Sequence, residues 1–133
     1  MKTDKIKMEI LLAASPEKIY QAWLTGKSHS AFTGGKAKIQ PKVNSRYSAW
    51  DGYITGKIIA LEENRKITHS WRTAEFPEDA SDSILEISFT PFKQGTKLIL
   101  VQTEIPEGDG KKYKDGWNEH YFIPMKKYFS GKK

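Results

Sequence analysis

The chain contains no cysteine, which excludes disulfides and thiolate metal sites alike. Long apolar runs are missing too. The opening stretch MKTDKIKMEILLAAS holds one short apolar run, preceded by Lys5, Lys7 and Glu9, and is neither a secretory h-region nor a membrane span. A cytoplasmic protein without membrane association is therefore expected. There is no Ser-His-Asp signature, no two-His metal spacing and no Gly-rich phosphate loop, since GGK at 34–36 is too short to be one. No catalytic residue, metal site or cofactor is expected, and an enzyme is the weaker reading. Arginine-rich blocks and RNA-binding aromatic motifs are absent as well. The net charge of +6 comes from scattered lysines, and only the last 23 residues concentrate them, seven Lys against Asp115 and Glu119. That pattern fits solvated faces better than a nucleic-acid partner, and leaves an acidic protein partner open.

What is present suits one domain spanning 1–133. With 133 residues, 38% apolar and 29% charged, the chain can bury a sizeable core without staples. Residues 5–13, KIKMEILLA, alternate Ile6, Met8 and Ile10 with Lys5, Lys7 and Glu9, as a half-buried strand does. SPEKIYQAWL follows as a helix, with Ser15 as N-cap, Pro16 at the first position and Glu17 at the positive end. Its apolar face carries Ile19, Ala22 and Trp23. A second cap, Ser28 or Ser30, opens at most a short helical turn before Gly34-Gly35 ends it.

From Lys36 to Thr103 the texture is that of strands. SAWDGYITGKIIAL reads as a hairpin with a two-residue Asp51-Gly52 turn. ENRK is a turn, and KITHSWR alternates Ile67, His69 and Trp71 against polar neighbours. A Pro-, Asp- and Ser-rich loop covers 77–83, then Leu85, Ile87 and Phe89 alternate, and KQG turns the chain into TKLILVQTEI. Short turns between consecutive strands indicate an antiparallel meander, and the class is α+β.

The last segment, KDGWNEHYFIPMKKYF, carries the densest aromatic content. Wound at 100° per residue, it gathers His120, Tyr113, Pro124, Trp117, Tyr128, Tyr121 and Met125 within about 140° of arc. Asp115, Glu119, Lys112 and Lys126 fall opposite. Phe122, Phe129 and Ile123 lie beyond the edges of the arc. Gly116 costs about 1 kcal/mol relative to alanine in a helix, and Pro124 about 3 kcal/mol. Such a helix must recover that loss by packing on the sheet through Ile67, Trp71, Leu85, Ile87, Phe89, Leu98 and Leu100, with a bend near Pro124. The order is a strand, two short helices, antiparallel strands and a long C-terminal helix. This is a helix-grip arrangement: a curved sheet of about six strands wrapped around its final helix.

On SPEKIYQAW with AFTGG, DGYITGKIIAL, KITHSWR with FPE, and GWNEHYFIPMKKYF, the chain resembles the START-like superfamily. More closely, it is similar to the C-terminal domain of the activator of the heat-shock protein 90 ATPase. The resemblance covers most of the chain and implies the helix-grip fold and a contact with a heat-shock chaperone. The eukaryotic activator has a further N-terminal domain for which there is no room before Lys5, so ATPase stimulation is not implied. START-like domains often leave a cavity between sheet and helix.

The ligand-binding candidates for such a cavity are Trp23, His69, Trp71, Phe89, Gln102, Tyr113, Trp117, His120 and Tyr121. Simple core packing is the alternative for the aromatics. Trp71 and Trp117 are the expected walls, and Trp50 a rim or surface residue. His69 and His120, if both inward, meet or address one polar group of a ligand. His29 is assigned to a short polar loop. Strand parity carries Gln102 and Glu104 toward the cavity mouth, where a buried Glu would serve as an acid or base and an exposed one would not. Three functions are compatible with these residues: a non-enzymatic domain holding a small hydrophobic ligand, a chaperone-docking module, and a cyclase- or hydrolase-like enzyme.

Overall fold

A computed structural model describes residues 3–129. The two ends of the expected domain, Lys132 and Lys133 included, lie outside the described residues. β1 (Thr3–Leu12) is followed by α1 (Pro16–Leu24) and α2 (Gly26–Thr33). Five strands come next: β2 (Arg46–Ala49), β3 (Ile54–Glu62), β4 (Lys66–Thr73), β5 (Ser83–Phe92) and β6 (Gly95–Pro106). They form one antiparallel six-stranded sheet in the order β1-β6-β5-β4-β3-β2. α1 and α2 carry the chain from one edge of the sheet to the other. The final helix runs from α3 (Gly110–Trp117) through a π turn (Asn118–Phe122) into α4 (Ile123–Tyr128).

The capping logic of α1 holds: the Ser15 hydroxyl accepts from the Lys18 N–H at 3.2 Å, with Pro16 in the first turn. α2 departs from expectation. It is eight residues long and starts at Gly26, not at a cap on Ser28 or Ser30. Its N-cap Thr25 spends its hydroxyl backwards on the Gln21 carbonyl, at 2.7 Å. Ser30 is also diverted, donating to the Gly26 carbonyl and accepting from the Ala37 N–H. A cap motif in sequence thus became a tether for the loop after α2.

The hairpin also differs from its reading. Register ends at Ala49↔Ile54, so the connection has four residues, not two. Trp50, Asp51 and Gly52 all take left-handed φ, at 53°, 58° and 91°. Gly35 supplies the reason for the detour. A Cβ there would run into the Trp50 indole, so the bare glycine lets that ring lie down on the loop after α2.

The sheet's inward residues are as read, with Ile67, Leu85, Ile87, Leu98 and Leu100 fully buried beside Trp71 and Phe89. Parity fails at the end of β6. Thr103 and Glu104 together face Lys5 where the β1–β6 register shifts, and Glu104 takes φ +61°. This bulge turns Glu104 into solvent, away from the mouth to which it was assigned, while Ile105 resumes the buried face.

The C-terminal helix answers Pro124 with the π turn. The Ile123 N–H reaches back five residues to the Asn118 carbonyl, so the ladder is widened just before the proline rather than broken at it. One extra residue in a turn rotates everything downstream by about 100°. Phe129 therefore takes the inward place expected for Tyr128: Phe129 is 3% exposed and Tyr128 47%. The start of the helix is held from afar. Asp4 on β1 accepts from the Gly108 and Gly110 N–H groups at 3.0 and 2.8 Å, a cap supplied by another element.

Two substitutions test this register. Phe129→Ala is expected to cost about 3 kcal/mol in urea unfolding, and Tyr128→Ala about 1 kcal/mol or less. A straight α-helix would give the reverse order.

Candidate functional site

A cleft of about 450 Å³ opens between α3, the π turn, β4 and the β2–β3 hairpin tip. Its walls are apolar: Trp71 from β4, Ile54 from β3, Tyr113 and Trp117 from α3, and Tyr121 from the π turn. Trp50 and Tyr53 close it from the hairpin tip. Gly116 and His120 on the helix, with Glu75 and Lys112 at the mouth, complete the lining. The Trp71 and Trp117 rings lie 5.5 Å apart, and the Trp71 and Tyr113 rings meet edge to face at 5.0 Å.

A buried polar thread fixes the two central indoles. Trp117 donates its N–H to Gln102 Oε1 at 2.8 Å, and the Gln102 amide donates to Ser83 Oγ at 2.9 Å. The Ser83 hydroxyl then donates to the Trp71 carbonyl at 2.7 Å. Tyr113 shares a 2.9 Å hydrogen bond with the Thr73 hydroxyl. In a dry interior each of these groups would be costly to leave unpaired, so the pairing holds wall and helix in one arrangement.

Behind the wall sit two neutral histidines. His29 is 2% exposed, with Nδ1 2.9 Å from the Trp23 carbonyl and Nε2 2.7 Å from the Tyr121 hydroxyl. A carbonyl only accepts, so Nδ1–H donates to it and Nε2 accepts the Tyr121 proton. His69 repeats the scheme: Nδ1–H donates to the Ser70 carbonyl at 2.9 Å, and Nε2 faces the Trp23 indole N–H at 3.4 Å. Burial lowers both imidazoles to about 4. Burial also raises the Tyr121 and Tyr47 phenols above their ordinary value. At the mouth, Lys112 Nζ and Glu75 Oε1 pair at 2.8 Å. That hydrogen bond pushes Lys112 up to about 12 and holds Glu75 below the usual carboxylate range.

Five of the nine expected residues line the cleft: Trp71, Tyr113, Trp117, His120 and Tyr121. Trp23, His69, Phe89 and Gln102 are buried in the layer behind it. Phe89 packs against Tyr20, well inside the sheet's core. Strand parity gave the face of His69, Phe89 and Gln102, and helical spacing that of Trp23, but neither gave their depth. His69 and His120 do not meet, because His120 is exposed at the rim against the Trp50 ring, 5.6 Å away. Trp50 is the rim residue expected of it. His29, assigned to a polar loop, is a helical core residue. Its spacing to Phe32 and Thr33, three and four positions on, was the overlooked signal of a buried helix face. Ile54 stood on the inward parity of β3. Tyr53, Glu75, Lys112 and Gly116 had no periodic signal toward a cavity.

These features define a helix-grip domain with an aromatic cleft beside its final helix. Residues 13–130 match the family described as "Activator of Hsp90 ATPase homolog 1-like protein", and the chain belongs to that family. It is 27% identical to the mouse activator of 90 kDa heat shock protein ATPase homolog 1 over 127 residues, covering 96% of this chain and 37% of that protein. The human counterpart is 26% identical with the same coverage. The chain thus spans little more than a third of these relatives. Among solved structures, an HSP90 activator from Plasmodium falciparum superposes with a TM-score of 0.87 at 21% identity, covering 95% of this chain and 96% of that one. The solution structure of the Aha1 dimer from Colwellia psychrerythraea gives 0.81 at 18% identity, covering 98% and 100%. Among the described residues no helix is long and apolar enough to cross a membrane.

The histidine pair makes stability pH-dependent. Both folded pKa values lie below the ordinary 6.5, so the unfolded chain binds more protons between those limits. Their contribution is complete above 6.5 and is lost as pH falls toward 4, by about 1.4 kcal/mol per pH unit for each histidine. Urea titrations at successive pH values should show that slope, and His69→Gln should remove roughly half of it.

Proposed function

We propose that this domain binds a small hydrophobic molecule in the cleft between sheet and C-terminal helix, without turning it over. The observation that carries this reading is an aromatic wall whose neighbouring polar groups are already satisfied by one another. Gln102, Ser83, Thr73, His29 and His69 spend their hydrogen bonds inside the protein. An apolar guest is therefore welcomed by surface area rather than by chemistry. A ring that buries about 200 Å² gains on the order of 5 kcal/mol before the cost of immobilisation. The hydroxyl of Tyr121, committed to His29, and the outward Glu104 leave little for acid–base work. These features favour a binding domain over a cyclase- or hydrolase-like enzyme.

A second reading is favoured by family membership: a module that docks on a heat-shock chaperone. The exposed helix face carries Lys111, Lys112, Lys114, Lys126 and Lys127, suited to an acidic partner surface.

Both readings have direct tests. In a panel of fatty acids and aromatic compounds, at least one should raise the melting temperature and quench tryptophan fluorescence. Trp50→Ala should weaken that response with the fold intact, whereas Trp117→Ala should cost about 3–5 kcal/mol of stability as well. A panel that moves neither signal removes the ligand reading. Purified Hsp90 should retain the domain at low ionic strength and release it as salt rises; no retention removes the docking reading.

A further inference from the structure

Gly116 is the anomaly of the cleft. It weakens α3, and neither backbone nor packing calls for it. Its φ is not left-handed, and a Cβ built on it would meet nothing nearer than His120 Cδ2 at 4.0 Å. Gly35, Gly56 and Gly110 are different, since a Cβ at each would collide with a neighbour. What the missing methyl at 116 preserves is empty space inside the cleft, on the turn that also presents Tyr113, Trp117 and His120. Bare backbone there gives a flat body a floor.

The mouth adds a charge. Among the described residues of the lining, Lys112 is the one permanent cation and Glu75 the one permanent anion. Their pair is half-exposed, with side-chain exposures of 48% and 56%, and such pairs are weakly held. The two partners are not equivalent. Lys112 Nζ lies 4.9 Å from the centroid of Tyr113, a wall of the cleft, so the ammonium stays by the guest when Glu75 leaves. The chain's net charge of +6 also draws anions.

We propose that the guest is a flat aromatic acid, its ring resting on Gly116 and its carboxylate taking the place of Glu75 on Lys112. This rests on the ligand-binding reading above and narrows it to one chemical class. Glu75 then acts as a stand-in that keeps Lys112 satisfied when the cleft is free.

Naphthoate and its uncharged isostere naphthamide, titrated by tryptophan fluorescence and calorimetry, separate the claims. The acid should bind roughly threefold to fivefold more tightly than the amide. Lys112→Gln should abolish that preference, and Glu75→Gln should enlarge it by removing the competitor. Gly116→Ala should raise the melting temperature yet weaken both compounds, a combination that a purely structural glycine does not give. Equal affinity of acid and amide for the unaltered protein overturns the role of Lys112 while the hydrophobic cleft stands. Wild-type affinity in Gly116→Ala overturns the floor. Binding of neither compound overturns the inference, and the panel of fatty acids and other aromatics then decides separately on the broader reading.

Discussion

The Trp117 indole packs against Trp23 at 6.2 Å and Trp71 at 5.5 Å while donating its N–H to Gln102. That anchorage joins three layers at once, α1, the sheet and the C-terminal helix. Large aromatic rings supply most of the area that holds the helix down. The hydrogen bond decides which rotation of the helix is kept. Without it the helix could slide on a greasy surface; with it, one face is committed inward and the cleft walls follow. The glycine and proline that weaken the helix are tolerated because this grip is strong.

Among the described residues, the buried polar groups are arranged so that none carries charge. Two imidazoles, the phenols of Tyr47, Tyr113 and Tyr121, a carboxamide and several hydroxyls are distributed among aromatic rings, and each finds a neutral partner. The Trp23 and Ser70 carbonyls settle the proton positions on His29 and His69, and burial keeps the rings uncharged. The charges of the cleft sit at its mouth, where Lys112 and Glu75 remain in contact with water.

Much of the fold was legible in the sequence because its signals are periodic. Alternation at Ile67, His69 and Trp71 and at Leu85, Ile87 and Phe89 gave strand faces, and Ser15-Pro16 gave the start of α1. The failures have physical causes that periodicity does not carry. The π turn shifted the helical phase, exchanging Tyr128 for Phe129. The bulge at Glu104 shifted the strand phase. Ser30, which looked like a cap, was recruited by the loop that follows its own helix. Of the candidate site, the wall was readable because apolar faces are. Apart from Trp50, the rim was not, because Tyr53, Glu75 and Lys112 are brought together only by the path of the hairpin tip and the loop after β4. His29 was hidden by polar neighbours, although its helical spacing to Phe32 marked a buried face.

Asp4 ties the first strand to the first turn of the final helix, and Ile10 faces Leu98 across the adjoining ladder. Nearly the whole polypeptide is looped out between those partners. Closing so long a loop is entropically slow, so this seam belongs to the late events of folding. An emerging chain at the ribosome would hold its aromatic helix unclasped until the last strand could find the first. Any trimming or fusion that disturbs Asp4 would loosen a helix more than a hundred residues downstream.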